Sequence, residues 1–236
     1  LGVTQIDGDI VGDGTRYDDE FRADDEWGDE ITVRDAGRVD ALLVNDGLIS
    51  PTDYALDPTR AAAGVFRDLI IARGVALIGS AANGVRPTDG SLTTLALIES
   101  APLTDVLVEM LHTSDNNTAE MIVKEIGFAA SGLGTRQAGL DAVRSKLQEW
   151  GVPSDGLDIR DGSGLSRNNR TTCATLAALV NASPVAGRLV GLLPAAGRDG
   201  TLKDQLLGTP AEGQLVAKTG TLTDVKALTG SQPGSD

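Results

Sequence analysis

Ser114-Asp115-Asn116-Asn117-Thr118-Ala119-Glu120 opens a helical pattern, and 104 residues after Ser114 comes Lys218-Thr219-Gly220-Thr221-Leu222-Thr223 in a run with strand character. Asn117 with Glu120 three residues on fits a capping box. Ala119, Ile122, Val123 and Ile126 then recur at helical spacing, so a helix over 117–129 is expected with those four on its buried face. Ser114 and Asn116 precede it in a turn, where a hydroxyl and an amide two residues apart can point into one cleft. The serine there can relay a proton and the asparagine can hold a substrate carbonyl. Lys218, in a strand over 215–219, places a fixed positive charge beside such a cleft and suits a substrate ending in a carboxylate. Gly220 removes a side chain where a peptide must lie against the strand, and a second strand follows over 222–229.

Working outward, helices dominate from Pro102 onward, over roughly 103–112, 117–129, 135–150 and 171–182. Gly151-Val152-Pro153 stops the third of these. Before Pro102 the pattern differs. Residues 1–17 read as a turn-punctuated strand with Ile6, Ile10 and Val11 as its apolar members. Val39–Val44 reads as a strand ended by Asn45-Asp46-Gly47, and Val75–Ile78 and Leu92–Ile98 as further strands. Residues 58–73 read as a helix with Pro58 in its first turn and Ala62, Val65, Phe66, Leu69 and Ile70 on one face. Strand, helix and strand over a hundred residues suggest an α/β or α+β layer, and two parts are expected, 1–101 and 102–236.

Composition narrows the function. The chain has 236 residues with 20 Lys+Arg against 34 Asp+Glu, a net charge of −14, which repels nucleic acid and anionic membrane surfaces. Eight acids fall within residues 18–30 against the single Arg22; a solvated loop is the default there. Hydrophobic residues make up 41% but aromatics only 3%, so the core is built from Ala, Val, Leu and Ile. Trp27 and Trp150 are expected to pack or anchor loops. No apolar run reaches the roughly 18 residues of a membrane span. A single cysteine, Cys173, excludes an internal disulfide and a cysteine zinc site, and reads as a small buried residue beside Leu176, Ala177 and Val180. A single histidine, His112, excludes histidine-rich metal sites and reads as a helix-end residue with no evident partner. Asp7, Asp9 and Asp13 space like a calcium loop, but Val11 stands where an oxygen ligand is needed, so acidic turns are expected. No cofactor and no metal are expected.

Ser114-Asp115-Asn116 and Lys218-Thr219-Gly220 are, in this order, two of the three elements of the penicilloyl-serine transferases, S-x-x-K, S-x-N and K-T-G. The chain resembles the D-alanyl-D-alanine carboxypeptidase/endopeptidase family of low-molecular-mass penicillin-binding proteins, the DacB-like type of serine peptidase family S13. Four further stretches carry the resemblance: residues 2–13, Val39 to Asp46, Asp161-Gly162-Ser163-Gly164-Leu165-Ser166-Arg167, and the continuation through Thr223. The resemblance implies an α+β class: a helical and antiparallel-sheet penicillin-binding, serine β-lactamase-like domain, incomplete here, with an accessory α/β domain. It implies a serine acyl-enzyme route on peptidoglycan stem peptides, inhibition by β-lactams, and an extracytoplasmic location. By position, Ser114 relays a proton to the leaving amine, Asn116 binds the peptide and Lys218 steadies the charge of the cleft. Thr219 and Thr221 hydroxyls hold the terminal carboxylate beside Gly220, and the Thr221 N–H is one oxyanion donor.

One element of the pattern is missing, because no serine in the chain has a lysine three positions on. The family places S-x-x-K before its accessory domain, the chain begins with Leu1, and it stops 16 residues after Gly220. A piece of a longer protein is therefore expected, inactive alone. Two other readings share these motifs. One is a class A-like serine β-lactamase, and the other is a non-catalytic peptidoglycan-binding remnant. The strands before Ser114 and the Asp161–Ser166 block favour the peptidase.

Overall fold

The computed structural model describes residues 2–22, 27 and 35–234. Contacts divide the chain into two compact units, Leu1–Glu99 with Glu120–Gly139, and Ser100–Ala119 with Leu140–Asp236.

In the first unit, β1 (Gln5–Ile6) and β2 (Ile10–Gly12) are followed by α1 (Pro58–Ala72), β3 (Ala76–Leu77) and β4 (Ala81–Asn83). β1 pairs in parallel with β3 and β2 with β4. Parallel pairing needs a long crossover, and the connection containing α1 supplies it. Asp57 caps α1 by accepting the Arg60 N–H at 2.9 Å, and Pro58 fills the first helical position, where its missing N–H costs nothing. The acidic turns near the start cap backbone. Asp9 accepts from the Ser80 N–H, and Asp13 from the Thr15 hydroxyl and from the N–H groups of Thr15 and Arg86; these bonds hold both carboxyls below the usual aspartate value.

Three expectations fail in this unit. Val39–Val44 forms no strand. Val39 is buried, and Asp40 turns its carboxylate onto the Thr59 hydroxyl at 2.7 Å and the Ala41 N–H, so this segment caps rather than pairs. Leu92–Ile98 is irregular, with Leu92, Leu95, Leu97 and Ile98 exposed and no strand beside it among the described residues. On α1 the buried residues are Pro58, Thr59, Ala62 and Ala63, whereas Val65, Phe66 and Leu69 are exposed. The helix lies on β2 and β4 through its small residues, which allow close approach, and the bulky stripe turns outward.

Two further helices cross the unit boundary, α3 (Asn116–Ser131) and α4 (Arg136–Glu149). In their first-unit portions they meet at two glycines. A Cβ on Gly139 would lie 1.9 Å from the Val123 carbonyl oxygen, and one on Gly127 would lie 2.8 Å from the Gly139 nitrogen. An exposed helical glycine normally gains about 1 kcal/mol from replacement by alanine. Here the sign reverses: Gly139→Ala should destabilise by about 1–3 kcal/mol, as overpacking does. Urea unfolding followed through Trp27, which is buried in this unit, reads the effect; an unchanged or raised midpoint would contradict it.

The buried face of α3 is not the apolar stripe expected from spacing. Asn117, Glu120, Val123, Lys124 and Gly127 are buried, while Ala119, Ile122 and Ile126 are only half-buried. Lys124 has no exposed surface, and its ammonium donates to the Asp18 carboxylate, the Asp18 carbonyl and, at 2.8 Å, the Glu20 carbonyl. Glu120, equally buried, takes the Arg136 Nε–H at 3.0 Å. Arg136 also donates to the Arg22 carbonyl and pairs with Glu20. Asp18, Glu20 and Arg22 thus anchor the chain on α3 and α4 instead of forming a solvated loop. The acids Asp24, Asp25, Glu26, Asp29 and Glu30 lie outside the described residues. Arg16 adds a second anchor, lying over the Phe128 ring at 3.9 Å and paired with Glu125, whose carboxyl that guanidinium holds below its usual value.

The second unit holds α2 (Leu103–Thr113), the rest of α3 and α4, α5 (Cys173–Asn181), α6 (Ala186–Val190), β5 (Val216–Leu222) and β6 (Val225–Ser231). β5 and β6 form an antiparallel hairpin in which Lys218 faces Thr229 and Gly220 faces Ala227. Gly220 therefore lies inside the first strand, and the turn is Thr223-Asp224. The core includes Leu140, Leu147, Val152, Leu165, Val180, Leu193, Leu202 and Ala217. Thr172 caps α5 by accepting the Thr175 N–H at 3.1 Å. Cys173, the first residue of that helix, is exposed, contrary to the expectation of burial. Its neighbours in the apolar run turn inward only from Thr175 onward.

Candidate active site

The site is built from the end of α2 and from β5, both in the second unit. α2 stops because Ser114 adopts a left-handed conformation, φ 62° and ψ 47°, as its C-cap. That conformation costs a non-glycine residue roughly 1–2 kcal/mol and places the serine side chain at an exposed corner. Asp115 then starts α3 by accepting the Thr118 N–H at 3.2 Å and the Thr118 hydroxyl proton. The N-cap is thus Asp115. Asn117 and Glu120 lie inside the helix and are buried, so the expected capping box is absent. In Ser-Asp-Asn the aspartate serves the backbone, and Ser114 and Asn116 flank it; Asn116 is half-buried in the first turn of α3.

Lys218 extends from β5 to Ser114. Its Nζ donates to Ser114 Oγ at 2.8 Å and to the Thr219 carbonyl at 2.8 Å. Burial holds this amine below the usual lysine value, because removing a cation from water disfavours the charged form. Such a lysine yields its proton more readily to a neighbour, and the neighbour is a hydroxyl. The pair can therefore present positive charge to the cleft or, by passing a proton through Ser114, become neutral. Thr219 directs its hydroxyl at Thr201 Oγ1, 2.9 Å away, and Thr221, exposed, accepts from Lys226 Nζ at 3.2 Å. Gly220 would bring a Cβ to 3.4 Å from that of Ala227, ordinary to tight contact on the hairpin.

The structure brings Ser114, Lys218 and Thr219 into one chain of contacts. It adds residues that sequence reasoning missed. His112, for which no partner was expected, lies with Nδ1 3.7 Å from Asp199 Oδ1. Thr201 and Asp199 come from an irregular stretch and a single 3-10 turn (Gly200–Leu202), where no periodicity marks a residue. Asp161 has a structural part: buried, it accepts from the N–H groups of Gly164 at 2.9 Å and Ser166, and from the Asn169 amide at 2.7 Å, folding the Gly-Ser-Gly-Leu turn about itself. Among the described residues no group of His, Cys, Asp and Glu could hold a metal ion, and no helix is long and apolar enough to cross a membrane.

A lysine on an antiparallel strand, hydrogen-bonded to the serine of an S-x-N turn at the start of a helix, is an arrangement whose motifs penicillin-binding proteins and class A β-lactamases share. The chain belongs to the D-Ala-D-Ala carboxypeptidase 3 (S13) family, whose family model matches residues 54–235. It is 39% identical over 189 residues to a D-alanyl-D-alanine carboxypeptidase of Actinomadura, covering 76% of this chain and 35% of that protein. It is 35% identical over 218 residues to Carboxypeptidase DacB of Mycolicibacterium smegmatis, covering 85% of this chain and 45% of that one. The chain thus spans between a third and a half of the length of these relatives. The crystal structure of penicillin-binding protein 4 (dacB) from Haemophilus influenzae superposes with a TM-score of 0.66 at 31% identity, covering 76% of this chain and 41% of that one. The same protein is also known complexed with a β-lactam.

Proposed function

We propose that this chain carries the S-x-N and K-T-G half of a serine D-Ala-D-Ala carboxypeptidase/endopeptidase that acts on peptidoglycan stem peptides outside the cytoplasm. The observation that carries the reading is the 2.8 Å hydrogen bond from Lys218 Nζ to Ser114 Oγ. It joins the two motifs across 104 residues, in a chain whose family is established. The nucleophile belongs to an S-x-x-K element outside these 236 residues. Its serine gives its proton to the lysine of the same element and attacks the carbonyl of the penultimate residue, and the bond to the terminal amine breaks. Ser114 relays that proton to the leaving amine, and water then releases the acyl-serine. Lys218, staying protonated, holds Ser114 by its hydrogen bond and keeps the cleft positive. Asn116 holds the peptide backbone, and Thr219 and Thr221 hold the terminal carboxylate. The Thr221 N–H and that of the nucleophile bind the oxyanion. β-Lactams acylate the same serine.

The test is a fluorescent penicillin, denaturation and electrophoresis. The complete gene product should give a labelled band that survives boiling. The 236-residue chain should give none, because an unactivated serine hydroxyl is a poor nucleophile at neutral pH. A stoichiometric band on the 236-residue chain that vanishes in Ser114→Ala would overturn both the role of Ser114 and the assignment of the nucleophile. No band on the complete gene product would overturn the function.

A further inference from the structure

We propose that Thr201 is a positioning residue that turns the Thr219 hydroxyl toward the carboxylate of a bound substrate; the inference rests on the function proposed above. Thr219 donates its hydroxyl proton to Thr201 Oγ1 at 2.9 Å. Each hydroxyl has one proton and two lone pairs, and an ionised carboxylate only accepts. If Thr219 holds a carboxylate, its single proton must point at that carboxylate. The bond to Thr201 then survives only if its direction reverses on substrate binding, both hydroxyls rotating so that Thr201 becomes the donor. The chain of bonds becomes Thr201 O–H to Thr219 Oγ1, and Thr219 O–H to the carboxylate. In such a chain each bond polarises the next, and the contact with Thr201 restrains the Thr219 side chain.

The backbone fixes Thr201 for this task. It sits in the 3-10 turn Gly200–Leu202, anchored by the fully buried Leu202. On one side the turn lies against the last turn of α2. Gly200 has φ +53°, and a Cβ there would be 3.0 Å from the His112 carbonyl oxygen, two residues before Ser114. Asp199 faces the His112 ring from the same turn and accepts the Ala195 N–H at 2.8 Å. On the other side the same segment pairs with β5. Pro194 accepts the Ala217 N–H at 3.0 Å, and Ala195 bridges Val216. A single stretch, Pro194 to Leu202, therefore touches both the helix end that carries Ser114 and the strand that carries Lys218 and Thr219, and Thr201 lies within it.

The experiment measures KM and kcat of the complete gene product on an acylated peptide ending in D-Ala-D-Ala and on its C-terminal amide. Thr201→Val should raise KM for the acid by about three- to tenfold, the effect of losing one neutral hydrogen bond that supports a charged one, with kcat within about twofold. The amide should respond by less than about twofold. Thr201→Ser should restore the KM, because it returns the hydroxyl. In a Thr219→Val background Thr201→Val should add nothing, since the two act as one unit. Should Thr201→Val fail to fold, Thr201→Ala reads the same split. An unchanged KM for the acid, or equal losses on acid and amide without rescue by serine, overturns the proposal. Lys218→Ala runs alongside. If it keeps full turnover, the proposed function itself falls, and this inference with it.

Discussion

Lys218→Ala in the complete gene product should slow acylation by a β-lactam by about a hundred- to thousandfold, equivalent to ~3–4 kcal/mol of transition-state stabilisation. The size follows from what the side chain does in place. Its ammonium donates to Ser114 and to the Thr219 carbonyl, and burial lowers its pKa, so it stands where charge develops and has little water to share it with. Alanine removes the cation, the donor to Ser114 and the filling of that space together. Lys218→Arg keeps the charge but brings a planar fork in place of a point charge, so it should recover only part of the rate. Stopped-flow acylation with a chromogenic β-lactam reads both variants. A Lys218→Ala rate within threefold of the unmodified protein would remove Lys218 from the mechanism.

The parts of this site that were legible in the sequence are those with local signatures. Ser-Asp-Asn and Lys-Thr-Gly are short, ordered and flanked by recognisable elements, so their meeting could be anticipated across 104 residues. The helices were legible for a similar reason. Residues 58–72, 103–113, 116–131, 136–149 and 173–181 carry sustained spacing and clear stops. Strands over 39–44 and 92–98 failed because apolar alternation shows only that a segment could pair. A strand exists only where a partner is in register, and among the described residues neither segment has one. Thr201 and Asp199 were invisible because a 3-10 turn has no periodicity, and their value lies in contacts with residues 18 and 87 positions away.

The buried face of α3 was misread for a more instructive reason: hydrophobic spacing cannot see a charge whose partner lies far away in sequence. Glu120 and Lys124 occupy neighbouring turns of one face and are both fully buried. Lys124 has three acceptors from residues 18 and 20, so its three protons are all placed. Glu120 has Arg136, sixteen residues on. Such groups are tolerated inside only when paired, and the pairing makes the polar stripe the inner one.

That arrangement makes Glu120→Ala the most damaging change to stability, at about 3–5 kcal/mol, the usual cost of stranding one member of a buried ion pair. Arg136 is buried, and its Nη2 already has no hydrogen-bond partner among the described residues. Without Glu120 the Nε proton loses its acceptor too, and the remaining Glu20 is half-exposed and weakened by solvent. Asn117 and Val123 on either side offer no charge in exchange. Replacing both partners with apolar residues of similar volume, Glu120→Leu with Arg136→Met, should cost much less than Glu120→Ala alone, because no charge is then stranded. The readout is urea unfolding through Trp27, buried in the same unit, in a Trp150→Phe background that silences the other tryptophan. A loss below about 1 kcal/mol for Glu120→Ala, within the range of exposed pairs, would mean that the pair is hydrated in solution. A double variant as unstable as the single one would mean that Glu120 stabilises the unit through groups other than Arg136.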